Sequence, residues 1–304
     1  MPSAPAVENL PDESLRFAKY EGLGNDFIVL DAETPDALDA SLAAPAVVAA
    51  LCDRHRGIGA DGVLVAGVRD GVPFMRVLNA DGSEPEMCGN GLRCVALHLA
   101  RTGRLAGRTD EVTFDTGAGP HGVWVREAGE AGVVEVQMRA PSLAPREVPV
   151  LADAPLVEGP FTVDGRVLRV TAVSMGNPHV VIFGALTDEL RLALGPLLAV
   201  DPRFPEGVNV GFATLADDGL RLRVFERGVG WTQACGTGAC AAAVAAVETG
   251  RAPRGRELRV TLPGGALVVR VGAQGERVHM TGPARHVFDG TLLRAMLPRS
   301  ASGA

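Results

Sequence analysis

Short apolar runs punctuated by Gly, Pro and Asp dominate the pattern of hydrophobic and polar positions along this chain. Most of the runs are rich in β-branched residues or alternate apolar with polar residues, which is typical of short strands. The pattern predicts strands at residues 16–20, 27–31, 63–66, 74–78, 112–114, 123–126 and 133–138, and again at 167–173, 180–183, 208–212, 220–225, 258–262, 267–271 and 277–280.

Helical patterns are fewer, and they are predicted at residues 46–54, 91–100, 188–198 and 238–248. The last of these segments is almost entirely Ala and Val. A helix that is apolar on all sides must be buried, so it belongs in the middle of its domain. We therefore predict an α+β fold in which each half of the chain is a mostly antiparallel, barrel-like sheet around one central helix.

One phrase of the sequence occurs twice, over residues 76–104 and 223–251. Both copies hold Arg-Val, then Cys-Gly-x-Gly, then an apolar run, then Thr-Gly-Arg, with the same internal spacing. A long unit present only twice indicates two similar domains. We predict a first domain at 15–138, a second at 139–282 with the active site in the cleft between them, a terminal strand near 283–298 that packs on the first domain, and a frayed N-terminus at 1–14.

The bulk composition excludes several classes of protein. With 304 residues, 47% hydrophobic and 21% charged, the chain is typical of a globular protein with room for two cores. The net charge of −7 argues against a nucleic-acid partner. No apolar run reaches the roughly 18–20 residues of a membrane span, and the first residues lack the features of a signal peptide. We therefore expect a cytoplasmic protein.

The single lysine, Lys19, limits the choice of cofactor. A pyridoxal phosphate enzyme needs a Schiff-base lysine, and a Walker-type loop needs a lysine after its glycines. Lys19 lies in a strand-like stretch with no Gly-rich loop in front of it. We expect an enzyme that uses no cofactor.

Five cysteines in a chain of this length do not indicate a disulfide framework. Cys88 and Cys235 occupy the same position in the two copies of the repeat, whereas Cys52, Cys94 and Cys240 are expected to be buried in the core. Their spacings, without a paired histidine nearby, do not fit the usual zinc patterns, so no metal site is predicted.

The two Cys-Gly-x-Gly phrases, at residues 88–91 and 235–238, are predicted to start helices. The first N–H groups of a helix lack internal partners and bind anions. The same position lowers a cysteine pKa from about 8.5 to about 3.5–7.5 in favourable cases. Facing each other, two such starts would hold one carboxylate and place one sulfur on each side of the adjacent carbon. This arrangement suits inversion of a stereocentre, which needs a base on one face and an acid on the other.

The sequence resembles the diaminopimelate epimerase family along nearly its whole length. The matching phrases are GLGNDFIVLD (22–31), RHRGIGADG (54–62), NADGSEPEMCGNGLRC (79–94), VSMGNPHVVIF (173–183), GVNVGF (207–212) and ERGVGWTQACGTGAC (226–240). The resemblance implies a cofactor-free isomerase with two similar domains that interconverts LL- and meso-diaminopimelate for lysine and peptidoglycan biosynthesis. It also implies a homodimer.

The resemblance also assigns roles to individual residues. Two thiols would be catalytic, a backbone cradle would hold the reacting carboxylate, polar side chains would bind the rest of the substrate, and a histidine would assist by sharing a proton with one cysteine. In that order, these residues are Cys88 and Cys235; Gly89, Asn90, Gly236 and Thr237; Asn25, Asn79, Asn177, Asn209, Glu226 and Arg227; and His179.

Two positions depart from the family pattern. The family often has Gln, which is counted among its substrate contacts, where this chain has Gly62. It usually has Glu where this chain has Trp231. Neither change touches the proposed acid–base pair, but both bear on how the substrate is held.

Other functions remain open at this stage. A proline or hydroxyproline racemase shares the two-thiol logic, but Arg227 with Asn79 and Asn209 favours a longer substrate with two polar ends. A phenazine-type isomerase of this fold would lack the paired cysteines. A thiol redox or binding protein would use Cys88 and Cys235 as a reversible disulfide, and oxidants are expected to inactivate the protein in either case.

Overall fold

The computed structural model describes residues 14–36, 40–85, 87–105 and 110–293, and its strands form one 16-stranded sheet. The strands are β1 (Ser14–Gly22), β2 (Asn25–Asp31), β3 (Gly62–Arg69), β4 (Val72–Asn79), β5 (Val112–Thr116), β6 (His121–Glu127), β7 (Ala131–Gln137), β8 (Gly159–Val163), β9 (Arg166–Ser174), β10 (Pro178–Phe183), β11 (Asn209–Ala216), β12 (Gly219–Glu226), β13 (Gly230–Trp231), β14 (Glu257–Leu262), β15 (Gly265–Val271) and β16 (Val278–Leu293). The helices are α1 (Ala40–Ala43), α2 (Pro45–Cys52), α3 (Gly89–Arg101), α4 (Asp188–Ala199) and α5 (Gly236–Glu248).

The first half of the chain forms a closed barrel. Strands β1 to β7 pair in sequence order, with parallel pairs only at β2–β3 and β4–β5. The long strand β16 then pairs with β7 on one side and with β1 on the other, where Ser14 lies opposite Leu293. Helix α3 fills the barrel, and its residues from Gly89 to Leu99 are buried. The strand pattern therefore produces a cylinder around a helix, as predicted.

The second half repeats this arrangement around α5. From β16 the sheet continues through β15, β14, β12, β11, β10, β9 and β8. Helix α5 packs against most of these strands, and its residues from Gly238 to Ala246 are buried. Small Ala side chains on all sides let the strands approach the helix closely, so the sequence of α5 explains its central position.

The two helices share one hydrophobic core. Buried residues of α3, α5 and the strands around both belong to a single continuous cluster, with Met138 and Met280 among them. Two smaller clusters lie outside it, one packing α4 against the second half and the other packing α2 against the first. The two central helices are therefore held by one continuous core.

The structure confirms the predicted fold class, with each predicted strand and helix matched by an observed one. Strands β8 and β13 and helix α1 were not predicted. Strand β8 lies about 20 residues after the predicted domain boundary at 138/139. The segments predicted at 277–280 and near 283–298 are one strand, β16, up to residue 293. Residues 1–13 and 294–298 lie outside the described residues, and the division at 138/139 stays a prediction. Within the described ranges no helix is long and apolar enough to cross a membrane.

Candidate active site

Cys88 and Cys235 hold the same position on two helices. Each is the N-cap residue of its helix, with φ −135° and ψ 111° at Cys88 and φ −126° and ψ 107° at Cys235. The Gly91 N–H donates to the Cys88 sulfur at 3.4 Å, and the Gly238 N–H donates to the Cys235 sulfur at 3.3 Å. The sequence repeat is therefore also a repeat of local geometry around the sulfur.

Both thiols open onto one cavity of about 940 Å³. Met280 packs beneath both helix starts: a Cβ added at Gly89 would lie 3.0 Å from its Cε, and one added at Gly236 would lie 3.2 Å from its Sδ. The glycines are therefore needed for close packing as well as for backbone exposure. The predicted site residues that line this cavity are Asn25, Asn79, Cys88, Gly89, Asn90, Asn177, Glu226, Arg227, Cys235, Gly236 and Thr237.

Burial raises the pKa of both thiols. For Cys88, the Gly91 N–H and the positive charge of Arg93 oppose that rise. The pKa of Cys235 lies well above its ordinary value because of burial and, next, the negative charge of Glu226. The expectation that the helix starts lower the thiol pKa is therefore wrong for this structure: the N–H donors act in the expected direction, but desolvation outweighs them.

A chain of hydrogen bonds fixes the amide groups on the Cys88 side. The Asn90 amide donates to Asn25 Oδ1 at 3.3 Å, and the Asn25 amide donates to Asp61 Oδ2 at 2.7 Å. Asp61 in turn accepts from Arg54 at 2.7 Å. Arg54 and Asp61 also line the cavity and were not predicted as site residues. The signal was present, because both belong to the phrase RHRGIGADG.

Lys19 anchors the strand that carries Asn25. Its side chain is 8% exposed and forms an ion pair with Asp26 at 2.6 Å. Although burial favours the neutral acid, hydrogen bonds from Arg54 and Lys19 lower the pKa of Asp26 to about 2. Lys19 also donates to the carbonyl of Gly59. The single lysine therefore has a structural role next to the site.

Asn79 and Asn177 reach the cavity from opposite halves of the molecule. The Asn79 amide, at the end of β4, donates to Ser83 Oγ at 2.9 Å. The Asn177 amide donates to Thr237 Oγ1 at 3.4 Å, and Thr237 Oγ1 lies 3.6 Å from the Cys235 sulfur. Asn177 therefore belongs to the same hydrogen-bonded group as the second thiol.

The structure places His179 next to Asn177, and the expected proton sharing between His179 and a cysteine stays a prediction. His179 is 1% exposed, is not part of the cavity wall in the described chain, and donates from Nε2 to Asn177 Oδ1 at 2.9 Å. Burial, and to a smaller extent the charge of Arg227, lowers its pKa to about 3. His179 is therefore a neutral ring that orients Asn177, with its hydrogen bond directed to an amide.

Asn209 is also removed from the cavity wall. Its amide donates to the carbonyl of Pro178 at 2.9 Å, and its Oδ1 accepts from the backbone N–H of Arg227 at 3.0 Å. Both ends of the side chain are thus occupied by backbone groups, and a direct contact of Asn209 with substrate stays a prediction. Asn209 instead holds the turn that carries Arg227.

Glu226 and Arg227 follow each other at the end of β12. Burial raises the pKa of Glu226, opposed by a hydrogen bond with Thr232 and, to a smaller extent, by one with the Cys235 thiol. Arg227 donates from Nη1 to the carbonyl of Glu206 at 2.6 Å, which fixes the guanidinium at the cavity wall. One acidic group therefore lies beside a thiol, and one cationic group lies where a carboxylate can be bound.

The two positions that depart from the family pattern have structural explanations. At Gly62, opposite Asn79 in the β3–β4 pair, a Cβ would lie 2.6 Å from the carbonyl oxygen of Leu78, so a side chain is excluded unless the strand moves. Trp231 lines the cavity and packs edge-on against Phe225 with ring centroids 5.4 Å apart. The indole thus joins the cavity wall to the hydrophobic cluster under α4.

The remaining three cysteines lie away from the cavity wall in the described chain. Cys52, Cys94 and Cys240 are buried, as expected. Among the residues that the structure describes, no group of three His, Cys, Asp or Glu side chains is arranged to hold a metal ion.

Comparison with known proteins identifies one family. The sequence model described as "Diaminopimelate epimerase" matches residues 17–144 and 171–287. A diaminopimelate epimerase of Thermosynechococcus vestitus is 46% identical over 290 residues, covering 92% of this chain and 99% of the relative. One of a Synechococcus strain is 46% identical over 288 residues, covering 91% and 98%. A crystal structure of a hydroxyproline epimerase from Agrobacterium vitis superposes with a TM-score of 0.65 at 16% identity, covering 92% of this chain and 93% of that one, which shows a common fold.

Proposed function

This chain belongs to the diaminopimelate epimerase family, a family of isomerases, and on that premise we propose that it interconverts LL- and meso-diaminopimelate with Cys88 and Cys235 as base and acid. Its place is then in lysine and peptidoglycan biosynthesis. The observation that carries the proposal is the repeated geometry of two N-cap thiols on one cavity.

The reaction needs only a proton exchange at one carbon. One cysteine, as thiolate, takes the proton from the carbon next to a carboxylate, and the electron pair of the broken C–H bond spreads onto that carboxylate. The other cysteine gives its proton to the opposite face of the carbon. The product has the inverted configuration, and the thiol and thiolate have exchanged places.

The helix starts stabilise the charge that develops during this exchange. N–H groups at the first turns of α3 and α5 carry partial positive charge and face the cavity beside Gly89 and Gly236. Fixed donors of this kind interact more strongly with the carboxylate as it gains negative charge. Because the site is buried, the interaction is weakly screened and is correspondingly strong.

Arg227 favours a substrate with a second carboxylate. Since its Nη1 is held by the Glu206 carbonyl, the guanidinium has a fixed direction, and its other N–H groups can bind a distal carboxylate. Asn79 on the opposite wall adds an amide for the distal amino or carboxylate group. Proline and hydroxyproline have no distal carboxylate or amino group. Arg227 and Asn79 therefore favour diaminopimelate as the substrate.

Solvent deuterium tests the proposal. In deuterium oxide, LL-diaminopimelate should yield meso product with one deuterium on the inverted carbon, detected by mass spectrometry and proton resonance. L-Proline, offered in parallel, should acquire no deuterium. Meso product without deuterium, or deuterium exchange on proline alone, would overturn the assignment. If neither amino acid is converted or labelled, the redox or binding alternative is favoured.

The assembly and the location stay predictions. We propose a homodimer that works in the cytoplasm, on the ground of family membership. Light scattering coupled to size-exclusion chromatography tests the first point, and fractionation of the source cells tests the second.

A further inference from the structure

Arg93 is a buried cation one turn along α3 from the Cys88 position. Arg93 is 0% exposed. Within the described ranges, no carboxylate forms an ion pair with its guanidinium. An unpaired charge in a protein interior is costly, so such a group is retained only where several hydrogen bonds and a specific use support it.

Three oxygen acceptors hold the guanidinium in one orientation, and Met280 Sδ lies 4.0 Å from Nη1. Nε donates to the carbonyl of Pro283 at 3.2 Å, Nη1 to the carbonyl of Gly89 at 3.4 Å, and Nη2 to Asn90 Oδ1 at 2.9 Å. Space for the group is provided by two glycines: a Cβ at Gly22 would lie 3.3 Å from Nη2, and one at Gly282 would lie 3.2 Å from Nε. The fold thus forms a fitted pocket for this side chain.

Arg93 sets the direction of the amide chain described above. An arginine can only donate hydrogen bonds, so the Asn90 side chain must turn its oxygen to Arg93 and its NH₂ group to Asn25. At the other end Asp61, as a carboxylate, can only accept. With a donor fixed at one end and an acceptor at the other, neither Asn90 nor Asn25 can flip.

The charges around the two thiols differ because the repeat is broken at this position. In the second copy Cys240 stands where the first copy has Arg93. The titratable groups that act on the guanidinium are, in decreasing order, the thiols of Cys94, Cys88 and Cys240 and the carboxylate of Glu21. The negative charge of Glu226 also raises the pKa of Cys88, but it is the smallest of the contributions. For Cys235, by contrast, Glu226 is the main charged neighbour.

We propose that Arg93 is a positioning residue that fixes Asn90 and makes Cys88 ionise at a lower pH than Cys235. This inference rests on the proposed function, because it assigns the starting base of the two-thiol pair. Turnover then begins with Cys88 as the base, while a proton is held between Cys235 and Glu226.

The test measures the two thiols separately, without turnover. Wild-type protein and the variants Arg93→Gln and Arg93→Lys are treated with iodoacetamide over a range of pH, and alkylation of the Cys88 and Cys235 peptides is followed by mass spectrometry. In the wild type we expect the inflection for Cys88 at lower pH than that for Cys235. Arg93→Gln should raise the Cys88 inflection by about 1 pH unit or more and leave that of Cys235 in place.

Arg93→Lys separates charge from geometry. Lysine keeps the charge but not the planar set of donors, so the Cys88 inflection should stay near the wild-type value while kcat falls and the mobile Asn90 amide raises KM. Arg101→Gln, at the far end of the same helix and bonded to Tyr20, is the matched control and should change neither inflection.

Several results would overturn the proposal. An unchanged Cys88 inflection in Arg93→Gln, or equal movement of both thiols, would make Arg93 a purely structural residue. If that variant does not fold, Gly22→Ala serves instead, because it keeps Arg93 but crowds its Nη2. Gly22→Ala should raise the Cys88 inflection by a smaller amount. An unchanged Cys88 inflection in Gly22→Ala would also overturn the proposal. Failure of the wild type to epimerise with the alkylation pattern intact would refute only the proposed function.

Discussion

The carboxyl group of Glu226 lies beside the thiol of Cys235, and burial raises the pKa of both groups. Two acids so close to each other in a buried wall cannot both ionise at neutral pH, so the pair titrates as a unit that retains one proton. In the first copy of the repeat, Asn79 occupies the position that corresponds to Glu226. Cys88 therefore has no carboxyl group at the corresponding place.

Glu226→Gln should lower the pKa of Cys235, because the negative charge that opposes its ionisation is removed. We expect alkylation of Cys235 to begin at lower pH than in the wild type, and epimerisation to fall by about 10²-fold because the proton-sharing partner is lost. Alkylation profiles and initial rates measure the two effects. Unchanged alkylation would show that the carboxyl group does not control the thiol.

Cys88→Ser and Cys235→Ser should each reduce epimerisation by about 10³-fold or more, since a serine hydroxyl does not ionise near neutral pH and each thiol acts in every turnover. The rate of meso product formation from LL-diaminopimelate is the measurement. Cys52→Ala, at a buried cysteine outside the cavity wall, is the control and should keep its activity. A single-serine variant with full activity would contradict the two-base reaction.

Arg227→Lys should raise KM for diaminopimelate by about 10-fold or more with a smaller effect on kcat, because a lysine cannot make the bidentate contact with a distal carboxylate. Steady-state kinetics give both constants. Arg221→Lys, on strand β12 just before Arg227 but paired with Asp218 at the surface, is the comparison and should behave like the wild type. Equal KM values in the wild type and in both variants would show that Arg227 does not bind the substrate.

The pH dependence of stability should contain a contribution from Asp26. Its pKa is lowered from 3.8 to about 2 in the folded protein, so the stabilisation is present above about pH 4 and is lost as the pH falls toward 2. The difference in unfolding free energy between wild type and Asp26→Asn should therefore be largest near neutral pH and shrink across that window. Asp115→Asn, which breaks an exposed pair with Arg69, should show little difference at any pH.

Gly62→Gln, which introduces the amide that the family often has at this position, should destabilise the protein without improving substrate affinity. The added Cβ meets the Leu78 carbonyl, and we expect Gly62→Ala alone to cost about 1–3 kcal/mol. Thermal and urea unfolding measure the change. Gly211→Ala, at a strand position where the Cβ would make an ordinary 3.4 Å contact, is the matched control. Equal stability of the two alanine variants would show that β3 can move.

The sequence predicts those parts of the site that depend on local geometry. Cys88 and Cys235 cap their helices because the Cys-Gly-x-Gly phrase contains all that an N-cap requires, and the repeat shows that both copies are alike. The thiol pKa was predicted in the wrong direction because desolvation depends on what packs over the sulfur, which no local phrase contains.

Side chains on strands were harder to place. His179 and Asn209 belong to matching phrases, but they lie opposite each other in the parallel β10–β11 pair and hold the wall from behind. Which face of a strand meets the cavity follows from register, and register is set by partners distant in sequence. The full length of β16 was missed for a similar reason: Gly282 and Pro283 interrupt the strand pattern, although pairing with β1 and β7 keeps the strand extended.

The long strand β16 also has a consequence for biosynthesis of the chain. Ser14 finds its partner only when Leu293 has left the ribosome, which at about 5–20 residues per second takes tens of seconds. Throughout that time one edge of β1 is unpaired, and the first barrel cannot close. We expect nascent chains halted before residue 278 to be cut by protease within both halves, and resistance to appear in both together once β16 is complete. Strand β16, the last strand of the described residues, therefore acts as a late step in folding the first domain.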